Sequence, residues 1–376
     1  MKVGFLTTAY PRFPEDPRGE FVKRLADELG KRGVRVEVIE PAGFDVLKRG
    51  AGFLPNLSTS LRARLAFPFY CARFQVLALV RSGGCDLLHA NWSLTGWFAV
   101  VAGRVRRRKV LLTERSPFLI ETNNRMVNGF VRLVIRSCDL VVTLSGQARE
   151  NLARKFPEID IRVVPNGVDE QLFSPSRRAS LKRELGLEPD VQHLLSVGRL
   201  TPIKRVDVLF AALRRCAAEG ARFHCWVIGD GELADELGSS VAGDGVLKDR
   251  VTFLGRKSHQ EVARWMCAAD VSVSCSEGET GGNTVLEAMS AGMTVITTPV
   301  GWANDYVQDG VNGVIVPAGD IDVLADRIGS LLRDPASMRS LGDRARRTIE
   351  ERGLTWGSCA DSYLALYREV LSGGGK

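Results

Sequence analysis

The chain has 376 residues, of which 45% are hydrophobic and 25% charged. That is the mix of a globular protein of two or three domains, and it excludes a disordered or collagen-like chain. Formal net charge is +7 but uneven: residues 1–165 carry 27 Lys and Arg against 15 Asp and Glu, whereas the remainder carries 24 against 29. A basic half at +12 beside a half at −5 predicts that one domain meets something anionic: nucleic acid, a membrane face or an anionic acceptor.

No apolar run approaches the roughly 18 residues of a membrane span, and the best, Trp97–Ala102, is far shorter. Met1-Lys2-Val3-Gly4-Phe5-Leu6 reads as a first strand and not as a signal peptide, so a cytoplasmic protein is expected. The strand covers Lys2–Thr8, and a polar, Pro-rich loop, Ala9–Arg18, follows. Phe21, Val22, Leu25, Ala26 and Leu29 then recur at the spacing of one buried helical face. That helix ends at Gly33, before a second strand, Val34–Ile39.

The stretch Phe53–Val80 has no acidic residue. It interleaves Arg62, Arg64 and Arg73 with Leu61, Leu65, Phe67, Phe69, Tyr70, Phe74 and Leu77. The pattern fits a basic amphipathic segment on a membrane surface, or a solvated face over a packed helix, with Pro68 expected to kink or divide it. Arg104 and Arg106–Lys109 extend the basic character. Further strands are expected at Leu87–His89, Val110–Thr113, Leu140–Thr143 and Ile161–Val164.

At Val164-Pro165-Asn166-Gly167-Val168-Asp169 a turn interrupts the rhythm and the basic excess ends. The domain boundary is placed here, giving domains over 1–165 and 166–357. A second series follows, with strands at His193–Val197, His224–Ile228, Arg250–Leu254, Val271–Cys275, Thr294–Thr297 and Gly313–Val316. Helices are expected near 204–219, 258–268, 283–291 and 320–333. The alternation predicts α/β architecture with parallel sheets, two tandem domains flanking a cleft. Gly373-Gly374-Gly375 reads as a flexible tail.

Open α/β sheets bind ligands beyond the carboxyl ends of their strands, so the loops there are the candidates. Gly198-Arg199-Leu200-Thr201-Pro202-Ile203-Lys204 sets a cationic fork and a point charge before a helix. It is either a diphosphate clamp or two solvated cations. In Ser276-Glu277-Gly278-Glu279-Thr280-Gly281-Gly282-Asn283-Thr284-Val285-Leu286-Glu287, the glycines lead into a helix whose free amides and positive end suit a phosphate. Glu279 and Glu287 bracket that anion site, and carboxylates so placed suit neutral hydroxyls, such as those of a ribose and a hexose. The alternative is that Glu287 complements the helix dipole and Glu279 is solvated.

Other features weigh less. Ile228-Gly229-Asp230-Gly231-Glu232 reads as a turn needing flexible glycines. There is no G-x-G-x-x-G after the first strand, which disfavours a dehydrogenase, and no G-x-x-x-x-G-K-[ST] loop. Asp320-Ile321-Asp322 reads as a helix cap and not as a metal motif. The eight cysteines and four histidines show no metal-ligand spacing, so no metal is expected and the thiols are read as reduced.

These loops together resemble the family-4, or group 1, retaining glycosyltransferases of the GT-B fold, most strongly over 162–317. Val197-Gly198-Arg199-Leu200 with Lys204 is similar to that family's phosphate-binding motif. Glu279 and Glu287 are similar to its Glu-x7-Glu motif, Leu286-Glu287-Ala288-Met289 and Ala291-Gly292 match its wording, and Pro165–Asp169 is similar to its interdomain segment. The resemblance implies two Rossmann-like domains facing a cleft. The last helix, about 358–370, would cross back onto the first. Arg199 and Lys204 would hold the donor diphosphate, Glu279 the transferred sugar and Glu287 the ribose. Amides around Gly281, Gly282, Asn283 and Thr284 would meet sugar and phosphate. Gly19 would let backbone approach the diphosphate.

One departure stands out: Thr113-Glu114-Arg115-Ser116 places Arg115 where the family carries a His facing the donor sugar. Asn91, in His89-Ala90-Asn91-Trp92, similarly replaces another His. Arg115 could donate a hydrogen bond there, add charge for an anionic sugar or acceptor, or mark weakened catalysis.

The resemblance implies transfer of a sugar from a nucleoside-diphosphate sugar, with retention and without a metal. The expected donor is a UDP- or GDP-sugar, the acceptor is a saccharide or a lipid-linked molecule, and no nucleic acid is expected. Attachment would be peripheral, at the inner membrane face, through residues 53–80. Two rivals stay open: another GT-B enzyme such as a nucleotide-sugar epimerase, and a non-catalytic sugar-nucleotide or polyanion-binding protein.

Overall fold

A computed structural model of the chain describes residues 1–11, 18–44, 47, 57, 60–115, 124–279 and 281–373. Part of the Pro-rich loop, residues 53–56 and 58–59 of the acid-free stretch, Ser116, Thr280 and the end of the glycine tail lie outside the described residues. The chain folds as two units, Met1–Asn166 with Trp356–Lys376, and Gly167–Thr355.

The first unit is built on strands β1 (Lys2–Leu6), β2 (Arg35–Ile39), β3 (Leu87–Asn91), β4 (Lys109–Glu114), β5 (Leu140–Thr143) and β6 (Ile161–Val163). They pair in the order β2-β1-β3-β4-β5-β6, all parallel. Helices α1 (Glu20–Lys31), α2 (Leu61–Arg81), α3 (Ser93–Arg106), α4 (Arg125–Ser137) and α5 (Gly146–Lys155) connect them. Strands buried on both faces need apolar residues throughout, as in the fully buried Leu87-Leu88 and Leu111-Leu112. In α1, the buried residues are Val22, Leu25, Ala26 and Leu29, the stripe read from the sequence.

A kink or a division was expected at Pro68; α2 runs through it without dividing. Pro68 lies on the solvent side, so the carbonyl one turn earlier that loses its amide partner can be hydrated instead. The opposite side of α2 buries Ala63, Tyr70, Phe74 and Ala78.

The second unit carries β7 (Gln192–Val197), β8 (Phe223–Ile228), β9 (Val251–Gly255), β10 (Val271–Ser274), β11 (Thr294–Thr297) and β12 (Val314–Ile315). Their order is β12-β11-β10-β7-β8-β9, again parallel. Its helices are α6 (Arg178–Glu184), α7 (Val206–Ala218), α8 (Ala234–Ala242), α9 (His259–Ala268), α10 (Asn283–Ser290), α11 (Trp302–Tyr306), α12 (Ile321–Arg333) and α13 (Pro335–Glu351). Asp320 caps α12, accepting from the Val323 amide at 3.0 Å. The final helix, α14 (Trp356–Leu371), belongs to the first unit, where Tyr363, Tyr367 and Val370 share a core with α1 and Phe5.

His89 is fully buried in the first unit's core. Its Nδ1 lies 2.6 Å from the Tyr367 hydroxyl and its Nε2 2.8 Å from Thr113 Oγ1, which is 3.0 Å from the Tyr363 hydroxyl. Burial, and after it the charge on Arg115, hold the imidazole well below its ordinary pKa. The unfolded chain therefore binds this proton more readily than the folded one. Stability should be intact above about pH 6.5 and fall as pH drops below it, by at most about 1.4 kcal/mol per pH unit. Melting temperatures measured from pH 7.5 to 5.5 should fall less for His89→Gln than for the natural chain; equal slopes would remove His89 as a cause.

Candidate active site

In the second unit the order of the strands reverses between β7 and β10, the position at which open α/β sheets bind their ligands. Both sequence-predicted loops start at this point. After β7, Gly198 donates to the Ile228 carbonyl at 3.0 Å and Leu200 to the Asp230 carbonyl at 2.9 Å. This approach is backbone against backbone. A Cβ on Gly229, at φ +151°, would stand 1.8 Å from the Gly198 carbonyl oxygen, and one on Gly231 would stand 2.3 Å from that of Leu200. The Gly-Asp-Gly turn is thus needed less for flexibility than to let the Arg199 loop lie against β8. Arg199 projects into solvent with no side-chain partner among the described residues.

The loop after β10 meets the first one directly. The Glu277 amide donates to the Ile203 carbonyl at 2.9 Å, Lys204 Nζ pairs with the Glu279 carboxylate, and Ser276 Oγ donates to the same carboxylate oxygen at 3.3 Å. Two predicted residues 75 positions apart therefore form one half-buried ion pair. Next to them Gly282, at φ +100°, precedes α10 and has no side chain to cap it. Asn283 and Thr284 open the helix, so its positive end lies at the same loop. Glu287 sits one turn further on. Beside it lies His259, whose Nε2 is 3.3 Å from the carboxylate and whose ring packs on Phe173 at 5.2 Å.

Several supporting residues were not picked out from the sequence. Fully buried Trp302 donates its amide to the Gly281 carbonyl at 2.8 Å, and a Cβ on Gly281 would stand 2.9 Å from its indole. Gly301, at φ +56°, could carry no Cβ without meeting that same carbonyl at 2.2 Å. Gly301 and Trp302 follow β11, whose carboxyl end is beside that of β10. The signal was a Gly-aromatic step after a strand, readable only once the strand order was known.

In the first unit, Gly19 starts α1 in the left-handed region at φ +68°, and a Cβ there would stand 2.1 Å from the Ala9 carbonyl oxygen. This glycine is needed by the fold itself. Arg115, 6% exposed, follows β4. Its Nε donates to Asn91 Oδ1 at 3.0 Å, its Nη1 to Asn166 Oδ1 at 2.8 Å, and its guanidinium lies 4.8 Å from the Phe21 ring. Asn91 and Arg115, the two departures from the family wording, are thus hydrogen-bonded to each other. Arg115 Nη2 and Asn91 Nδ2 are buried and have no hydrogen-bond partner among the described residues.

Two family models match the chain: Glycosyltransferase Family 4 over residues 19–172, and Glycosyl transferases group 1 over residues 177–348. The D-inositol 3-phosphate glycosyltransferase of Mycolicibacterium paratuberculosis is 32% identical over 384 residues, covering 93% of this chain and 85% of that protein. Sucrose-phosphate synthase from Thermosynechococcus elongatus superposes with a TM-score of 0.82 at 24% identity, covering 99% of each chain. The Anabaena protein HepE in complex with UDP-glucose superposes at 0.78 with 20% identity, covering 98% of this chain and 100% of its own. Two parallel six-stranded sheets with alternating helices, and loops of this kind on the second, define a glycosyltransferase of the GT-B fold. The chain belongs to the group 1, or family 4, glycosyltransferases.

Proposed function

We propose that this glycosyltransferase takes its sugar from a UDP- or GDP-sugar and passes it, with retention of configuration, to a saccharide or lipid-linked acceptor. It needs no catalytic metal and works in the cytoplasm. One observation carries the donor assignment. The Arg199–Lys204 and Glu277–Gly282 loops meet at the strand reversal, joined by the Lys204–Glu279 pair, at the open end of α10.

Without donor, Lys204 is held by Glu279. A diphosphate arriving at the α10 end draws Lys204 and Arg199 to itself, and Glu279 is left to accept from hydroxyls of the transferred sugar. Negative charge grows on the leaving diphosphate as the glycosidic bond breaks. Two cations and helix amides already in place stabilise that charge in the transition state more than in the ground state. Glu287 accepts from the ribose hydroxyls, with His259 beside it. No protein nucleophile is assigned: the acceptor hydroxyl attacks the face from which the diphosphate leaves, the new glycosidic bond forms as the old one breaks, and the hydroxyl proton passes to the departing phosphate oxygen. The HepE complex with UDP-glucose and the inositol 3-phosphate named for the mycobacterial relative support the class of donor and a hydroxyl acceptor. Free thiols at all eight cysteines, seven of them buried, suit a reducing compartment.

Incubation with a panel of UDP-, GDP- and ADP-sugars, with the anomer of the product read by NMR, tests this reading. Inversion would refute retention, and donor turnover to an isomer without acceptor would favour an epimerase. Metal independence follows from Arg199 and Lys204 supplying the positive charge that a divalent ion otherwise brings. Activity should persist in excess chelator. Loss of activity restored by Mg²⁺ or Mn²⁺ would overturn that part.

A further inference from the structure

The two helical layers of the first unit differ in charge. On one face of the sheet, α1 and α14 pair their acids with bases: Lys23 with Asp27, Arg24 with Glu20, Arg32 with Asp361. On the other face α2 packs along α3, and α3 along α4, over a shared core of Phe74, Phe98 and Val134. These three helices contain no Asp or Glu, although they carry four, two and three arginines respectively. Arg81 and Arg136 reach a carboxylate on a neighbouring element. Arg104, Arg106 and Arg132 donate to the Ser137 hydroxyl and to the Leu79 and Lys155 carbonyls; Arg132 also lies within electrostatic reach of Glu158, whereas Arg104 and Arg106 have no carboxylate partner among the described residues.

The same layer exposes large apolar side chains. In α2, Leu61, Leu65, Phe69, Val76 and Val80 all face solvent, Phe69 by 71%. At about 100° per residue they fall within about 100° of arc, opposite Ala63, Tyr70, Phe74 and Ala78 in the core. Val105 of α3 and Met126 and Leu133 of α4 extend the apolar surface, Met126 at 86%. Arg62 and Arg73 flank the α2 stripe on one side and Arg64 on the other, all exposed.

We infer that this face lies in the interface of an anionic lipid bilayer, with α2 parallel to the membrane plane. The charge and the stripe decide the occupant jointly. A soluble polyanion would satisfy the arginines and leave the Leu61–Val80 stripe in water, and a neutral membrane would do the reverse. α2 is long and apolar enough to cross a membrane, but its inner face is committed to the core of its own unit, which keeps it at the surface. The segment expected from the sequence is thus one element of a three-helix face.

Purified full-length chain should co-sediment with vesicles of phosphatidylcholine containing about a third phosphatidylglycerol, far better than with phosphatidylcholine alone. Binding should fall about tenfold or more as NaCl is raised from roughly 50 to roughly 500 mM. Replacing Arg62, Arg64 and Arg73 with Gln should weaken it about tenfold or more and flatten the salt dependence. Leu65→Ser with Phe69→Ser should weaken it while keeping the salt dependence, because both residues are exposed and their loss leaves the core intact. Melting temperature and UDP binding report on folding in every variant. The inference is overturned by equal binding to both vesicle types, by no binding at the lowest salt, or by full binding of the Leu65/Phe69 variant. It is also overturned by binding to heparin alone. None of these results depends on which sugar the enzyme transfers.

Discussion

Replacing Arg199 and Lys204 together by alanine is expected to weaken UDP or GDP binding by about a hundredfold or more in titration calorimetry. Each side chain would supply a charge-assisted contact of about 1.5–3 kcal/mol, and about 1.4 kcal/mol is a factor of ten. The single variants should differ. Arg199 is exposed and unpaired among the described residues, so Arg199→Ala removes one donor cleanly. Lys204→Ala also strips Glu279 of its cation, and the carboxylate left behind repels the diphosphate. Lys204→Ala should therefore be the more damaging, and the more sensitive to salt. Unchanged nucleotide affinity in both single variants would remove these residues from the donor site.

Glu279→Gln should separate binding from turnover in the opposite sense. The ion pair with Lys204 must break before Lys204 can serve a diphosphate, and a half-buried pair of this kind opposes binding by on the order of 1 kcal/mol. The neutral amide of the Glu279→Gln variant would release Lys204, so UDP or GDP should bind as tightly as before or a few times tighter. Turnover should nevertheless fall by about tenfold, because a neutral amide accepts a hydroxyl hydrogen bond about half as strongly as a carboxylate. Glu287→Ala should do the reverse, losing nucleotide affinity with a smaller loss in kcat, since His259 would be left beside an empty ribose contact. If both variants lost only melting temperature, a structural role would be the better account of the two carboxylates.

What was legible in the sequence is what neighbouring residues encode. The period of apolar residues marked α1 and most strands, and the Gly-rich run before Asn283 marked an open helix start. The cation and carboxylate loops could be named because each is a continuous segment at the end of one strand. Their pairing could not be. Lys204 meets Glu279 because β10 inserts beside β7, a choice of strand order made by long-range packing and not by local pattern. The same reason hid Trp302 beneath Gly281, His259 beside Glu287, and Asn166 as the acceptor for Arg115 across 51 positions. It also explains why Arg115 and Asn91 read as two separate oddities in the chain but form one hydrogen-bonded unit at the ends of adjacent strands. That Pro68 does not divide α2 depends on its orphaned carbonyl facing water and not core. The acid-free face extends the point. Its charge and hydrophobicity are written in three separate segments, and only the packing of α2, α3 and α4 side by side makes them one surface.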